Sequence, residues 1–203
     1  IVGCFASNVA RLDSIAHAAM ANGRHVSLVG ASLWRSAETA RRTGYLASDL
    51  KFLEASDAAY LPRDKVLYIC TGSQGEGRAA LSRIALNQHP DLTIEEGDVA
   101  VFSSRVIPGN EKAIHRLQNL LVGLGAELVT TRDSLIHVSG HPRIGEVEEL
   151  LGWVKPKVLI PVHGEALHLS EHAALGRRLG IPGVVSCRNG DLVQIAPGTP
   201  GVI

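Results

Sequence analysis

Aromatic side chains are scarce, 4% of a 203-residue chain, which leaves too few ring faces for a platform that stacks single-stranded bases. An excess of one charge is missing as well. Twenty Lys and Arg balance twenty Asp and Glu, so any hold on a polyanion has to come from a local site and not from a basic surface. Apolar runs are only a handful of residues long, as at Val158-Leu159-Ile160, against the ~20 that a membrane helix needs. No basic-then-apolar leader precedes them, and a membrane protein is excluded. Three cysteines, Cys4, Cys70 and Cys187, are odd in number, far apart and without a Cys-x-x-Cys pair, so neither a disulfide framework nor a thiolate zinc site is expected. Cys4 and Cys70 each end an apolar run, where a small thiol packs as a core residue, and the reducing cytoplasm is the expected compartment. An initiating Met is absent too: the chain opens on the strand-like Ile1-Val2-Gly3-Cys4-Phe5 and reads as a piece of a longer protein.

What is present is a composition 45% hydrophobic and 20% charged, that of a globular chain. Apolar β-type runs alternate with helical patterns, which predicts βαβ units and a doubly wound, mainly parallel sheet flanked by helices over residues 1–155. Strands are expected at 2–5, 25–29, 65–70, 99–103, 128–129, 136–138 and 158–161. Ser7 or Asn8 can cap a first helix that Asn22-Gly23 stops, and Gly30-Ala31-Ser32 turns into a second that Gly44 ends. One short helix is expected near residues 50–53, then helices at 78–87, from Asn110-Glu111 to Gly125, around 147–154, and at 165–179. Arg188-Asn189-Gly190-Asp191 between apolar pairs signals a tight hairpin. That antiparallel ending differs from what precedes it, so residues 156–203 are assigned to a second segment.

Ligands of open parallel sheets bind at the carboxyl ends of the strands. Four polar loops fall there: Ala6-Ser7-Asn8, Thr71-Gly72-Ser73-Gln74-Gly75-Glu76-Gly77, Ser103-Ser104-Arg105 and Ser139-Gly140-His141. In the second, glycines let backbone N–H groups approach an anion before a helix start. Its spacing is neither the dinucleotide nor the Walker A fingerprint, so an anion cradle and a plain strand-to-helix turn both remain open. In His137-Val138-Ser139-Gly140-His141, an imidazole, a hydroxyl and a bare glycine N–H together could grip a phosphate oxygen and hand it a proton. His141 is the candidate acid; His137 reads as a positioning or core residue. Pro161-Val162-His163-Gly164-Glu165 sets another imidazole beside a glycine after a strand, where His163 suits a metal ligand or a second acid–base group and Glu165 favours a helix start. His168-Leu169-Ser170-Glu171-His172 fits an inverted zinc-protease pattern, but only a short hairpin follows to supply a third ligand, and it reads as the solvated face of a helix. His17, His25, His89 and His115 read as ordinary residues.

Taken in order, Phe5-Ala6-Ser7-Asn8-Val9-Ala10-Arg11, Thr71-Gly72-Ser73-Gln74-Gly75-Glu76, Ile107-Pro108-Gly109-Asn110-Glu111, His137-Val138-Ser139-Gly140-His141 and Pro161-Val162-His163-Gly164-Glu165 resemble the bacterial ribonuclease J family, β-CASP members of the metallo-β-lactamase superfamily. The resemblance runs to the Asn189-Gly190-Asp191 turn. It implies a β-CASP domain over 1–155, with the chain returning at 156–203 to an incomplete metallo-β-lactamase domain. It further implies an RNA substrate held between the two domains and phosphodiester hydrolysis on two zinc ions. By residue match, Ser139, Gly140 and His141 correspond to the motif B that takes the scissile phosphate, with His141 stabilising or protonating the leaving group. His163 corresponds to motif C, a zinc ligand, and Ser7, Asn8, Ser73, Gln74, Gly75 and Glu76 line the RNA path. The acidic motif A has no clear counterpart, Asp13 lying near its place.

The family's His-x-His-x-Asp-His cluster has no equivalent here. A catalytic zinc needs three or more protein ligands, so this piece alone is expected to hold no metal and to be inactive without the metallo-β-lactamase half of the same chain, its partner alongside RNA; assembly into a homo-oligomer is left open. Two competing readings are a non-catalytic relative that binds RNA or protein, and an unrelated nucleotide-binding α/β enzyme using the loop at 71–77.

Overall fold

A computed structural model describes residues 1–47, 49–138 and 140–203. Apolar and β-branched runs form the strands Val2–Gly3 (β1), His25–Val29 (β2), Phe52–Leu53 (β3), Val66–Cys70 (β4), Val99–Phe102 (β5) and Glu127–Val129 (β6). They make one sheet in the order β3-β2-β4-β1-β5-β6, and every pairing is parallel. The longest ladder joins the two five-residue strands, from His25↔Val66 to Val29↔Cys70.

Alternation along the strands sends successive side chains to opposite faces, and helices cover both. Val9–Ala21 (α1) and Ala31–Arg42 (α2) press Leu12, Ala16, Leu33 and Ala37 against Val26, Leu28 and Ile69. A four-residue helix, Ala55–Ala58 (α3), follows β3. On the other face, Ala80–Ala85 (α4) and Glu111–Gly123 (α5) bring Leu81, Ile84, Ile114, Leu117 and Leu121 onto Val29, Cys70, Ala100 and Phe102. Each fully buried Leu or Ile contributes about 1.5–3 kcal/mol. The doubly wound, mainly parallel sheet flanked by helices is therefore as the sequence predicts.

The described chain divides into two compact units, Ile1–Val138 and Ser139–Ile203. The second consists of Ile144–Val154 (α6), Val158–Leu159 (β7), Ala166–Arg178 (α7), Gly183–Val184 (β8), Val193–Gln194 (β9) and Gly201–Val202 (β10). β7 pairs with β8 in parallel, and β9 with β10 antiparallel.

Three local expectations are corrected. The helix placed near 50–53 is instead the edge strand β3, because Phe52 pairs with Val26 and lies under the Arg41 guanidinium, 5.0 Å from its ring centre. Residues 136–138 form no strand: the Ile136 carbonyl, which a ladder would need, is taken by two side chains. The turn at 188–191 does form, with the Asp191 carboxylate accepting the Arg188 N–H at 2.7 Å, but its flanks do not pair as a hairpin, since β8 joins β7 and β9 joins β10. Among the described residues, no helix is long and apolar enough to cross a membrane.

Candidate active site

In a parallel sheet a crevice opens where neighbouring strands send their connections to opposite faces. Here β1, which leads into α1 on one face, stands between β4 and β5, which lead into α4 and α5 on the other, so the condition is met on both sides of β1; beyond the ladders, Cys4 N–H reaches the Cys70 carbonyl at 3.2 Å and Ser103 N–H the Gly3 carbonyl at 2.9 Å. Residues 5–8 leave the sheet on one side and residues 71–77 and 103–105 on the other, so the topology puts three of the four loops that the sequence singles out at the ends of neighbouring strands. Ser7 is exposed, while the Oδ1 of Asn8 accepts the N–H of Arg11 at 3.0 Å and caps α1.

The 71–77 loop turns inward. Ser73 and Gln74 are buried, and Gln74 ties this loop to the one after β5. Its Nε2 donates to the Arg105 carbonyl at 2.9 Å and the Ser104 hydroxyl at 3.4 Å, while its Oε1 accepts the Ile107 N–H at 2.9 Å and Asn110 Nδ2 at 3.4 Å. The backbone N–H of Gln74 goes to the Glu76 carboxylate at 2.9 Å and that of Gly75 to the Gly72 carbonyl at 3.1 Å. Two donors that an anion cradle would use are thus engaged within the loop itself. Gly75 sits at φ +79, and a Cβ there would stand 2.6 Å from the Ala113 backbone, so only glycine lets the loop lie against α5. Of Ser73, Gln74, Gly75 and Glu76, only Glu76 is fully exposed.

A second convergence involves residues from three parts of the first unit. The Ile136 carbonyl accepts Arg11 Nη1 at 2.6 Å and the Ser103 hydroxyl at 2.5 Å. Arg11 projects from the first turn of α1 and Ser103 from the end of β5. The ring of His137 meets Phe5 edge-on, centroids 6.4 Å apart at 62°. Burial first, then the guanidinium charges of Arg11 and Arg105, hold the His137 pKa below the ordinary imidazole value, so the ring is neutral at neutral pH. The sequence marks Ser103 through its loop but gives Arg11 no role. One signal was available: the first turn of α1 has no acidic residue, and an arginine at the positive end of a helix dipole needs another reason to be there.

Ser139 lies outside the described residues. Gly140 and His141 are exposed, and the His141 ring stacks on that of His163 in the same unit, centroids 6.0 Å apart and planes 17° from parallel. His163 adopts φ +64, a left-handed conformation that a non-glycine residue holds only when its surroundings demand it. Directly after it, His168 Nδ1 accepts the Glu165 N–H at 3.2 Å and caps α7. That bond engages one nitrogen of the first His in the His168-Glu171-His172 pattern. Among the described residues no group of three or more His, Cys, Asp or Glu could hold a metal ion; His163 can contribute one ligand but not a site. Asp13 pairs with His17 on the surface of α1 at 3.4 Å. The thiols of Cys4 and Cys70 are buried, which pushes their pKa values up to about 11 and about 12 and leaves them unreactive.

Comparison with known proteins covers both units. The family model "Ribonuclease J, beta-CASP domain" matches residues 1–121, and "Zn-dependent metallo-hydrolase RNA specificity domain" matches residues 125–186. The chain is 49% identical over 199 residues to ribonuclease J of Sinorhizobium meliloti, covering 98% of this chain and 35% of that protein. It is 42% identical over 205 residues to ribonuclease J of Mycolicibacterium smegmatis, covering 100% and 37%, and 36% identical over 197 residues to ribonuclease J2 of Bacillus subtilis, covering 96% and 35%. The chain spans about a third of the length of these relatives.

Proposed function

Since the chain belongs to the ribonuclease J family, we propose that it is the substrate-gripping part of a zinc-dependent ribonuclease that hydrolyses RNA phosphodiester bonds. The observation that carries this reading is the match to β-CASP and RNA-specificity models in succession, on a sheet whose neighbouring strands β4, β1 and β5 end in the loops at 71–77, 5–8 and 103–105. Recognition there needs neither excess positive charge nor aromatic stacking, because backbone phosphates are held by hydroxyl, amide and imidazole donors.

Ser7, Asn8, Ser73, Gln74, Gly75 and Glu76 border the RNA path. The buried Gln74 acts by fixing two loops, and the exposed Ser7 and Glu76 are the members of this set that reach solvent. Ser139, Gly140 and His141 take the scissile phosphate, and His141 protonates the departing oxygen, a role suited to an exposed imidazole. His163 is a zinc ligand in the full-length enzyme; the other ligands come from the metallo-β-lactamase half of the chain. Zinc supplies the activated water when bound. Residues 1–155 form the β-CASP part and 156–203 the return to the metallo-β-lactamase domain, and the whole enzyme works in the cytoplasm. The 203-residue piece on its own is inactive.

The test is His141→Ala in the full-length protein. Turnover of RNA falls by about 10²-fold or more while zinc content, measured by elemental analysis, stays unchanged. Loss of zinc would reassign His141 as a ligand, and unchanged turnover would refute its role as an acid.

A further inference from the structure

Ile136 is the residue from which the chain enters His137-Val138-Ser139-Gly140-His141. No strand ladder holds residues 136–138. Side chains from distant parts of the first unit stand in for one: the Arg11 guanidinium at 2.6 Å and the Ser103 hydroxyl at 2.5 Å share the Ile136 carbonyl oxygen. One donor is charged and brings the stronger bond; the other comes from a different element and constrains the oxygen from a second direction. Phe5, from the loop after β1, meets the edge of the next ring in the chain, that of His137. An arginine in the first turn of α1 opposes the helix dipole, and its bond to Ile136 accounts for its presence there.

We infer that Arg11 and Ser103 are positioning residues, which pin the Ile136 carbonyl and thereby set where the phosphate-gripping segment 137–141 begins. The functional consequence rests on the ribonuclease reading; the anchor itself rests on hydrogen-bond geometry. Neither residue touches the reacting atoms. What they fix is the point from which the chain leaves Ile136 for His137. Arginine suits the task because its planar fork keeps a fixed direction while its charge stays on at every working pH.

The experiment uses the full-length protein with Arg11→Met, Arg11→Lys and Ser103→Ala, each alone and combined with His141→Ala. Arg11→Met should lower kcat by about 10-fold or more with KM and zinc content held, Arg11→Lys should recover part of the loss, and Ser103→Ala should show a smaller loss of the same kind. In the His141→Ala background the Arg11→Met loss should vanish, since a positioning residue has nothing left to position. A loss of equal size in both backgrounds would overturn the inference and mark Arg11 as acting directly on RNA. A second readout needs no activity: with ¹³C-labelled histidine, Arg11→Met should move the His137 and His141 resonances and raise the pH at which His137 titrates, because one of the two guanidiniums opposing its protonation is gone. An unmoved His141 resonance would also overturn the inference. Absence of ribonuclease activity in the unaltered protein would refute the functional reading alone, and the imidazole resonances would still decide the anchor.

Discussion

The two units differ in how they hold themselves together. In Ile1–Val138 the sheet is covered on both faces, and Leu12, Leu28, Leu33, Ile69, Leu81, Ile84, Ile114 and Leu121 are shut off from solvent. Among the described residues of Ser139–Ile203 the buried apolar side chains are those of Pro161, Ala173, Leu175 and Val185, α6 has no fully buried side chain, and Ile144, Leu150, Trp153 and Val154 stand exposed along it. Only Val147 and Leu151 of its apolar side chains are half-buried, so most of the apolar stripe of α6 faces solvent. The first unit has a continuous buried core on each face of its sheet, and the second has a few buried side chains and an exposed apolar helix. That contrast accords with a chain about a third as long as its relatives.

The contrast can be broken by mutation. Leu121→Ala in the first unit should cost about 2–5 kcal/mol, read from urea unfolding of the 203-residue chain, since it empties a site with no solvent exposure. If the loss is below 1 kcal/mol, the first unit is not the tightly packed member of the pair. Gln74→Ala comes next, at about 1–3 kcal/mol, because it strands the Ile107 N–H and unties the 71–77 loop from the 104–110 loop; unchanged unfolding would show the staple to be idle.

Acid should act through the first unit as well. The pKa values of His137 and His89 are both lowered, chiefly by burial, so below about pH 6.5 the unfolded chain takes up protons before the folded one does. Stability is therefore complete above that pH and declines as the pH falls through the folded values, and His137→Gln should flatten the decline in a series of thermal melts. A melting temperature that rises on acidification would contradict the assignment. The smallest effect is expected in the second unit: Leu150→Ala should change stability by less than about 0.5 kcal/mol, because this side chain is 53% exposed. A large loss would mean that α6 is packed after all and that the contrast fails.

Much of the first unit is legible in the sequence because its signals are local. The five-residue strand at 25–29, and the Asn8 cap and the Asn22 stop of α1, rest on residues whose preferences decide their own conformation. The misreadings arise where a distant partner decides. Residues 52–53 become a strand because β2 is there to pair with them, and 136–138 form none where Arg11 and Ser103 take the Ile136 carbonyl. The turn at 188–191 is legible and the pairing of its flanks is not, since β7 and β10 compete for them. For the candidate site, the sequence picks out loops 5–8, 71–77 and 103–105, but only the strand order shows that they follow neighbouring strands. The inward course of Ser73 and Gln74, and the role of Arg11, depend on hydrogen bonds that no local pattern encodes.

The strand order also bears on how the chain reaches its folded state. β1 is made from the first residues yet occupies an interior place in the sheet, where Val2 pairs with Ile69 on one side and with Val101 on the other. Neither contact is local, so closing the sheet around β1 requires large loops to be fixed before the pairing rewards them, and such steps are slow. β1 can pair with β4 once that strand is made, but it gains its second partner only with β5. Until then the far side of β1 is an open edge on a half-built sheet, and the time spent in that state sets its exposure to mispairing with another copy.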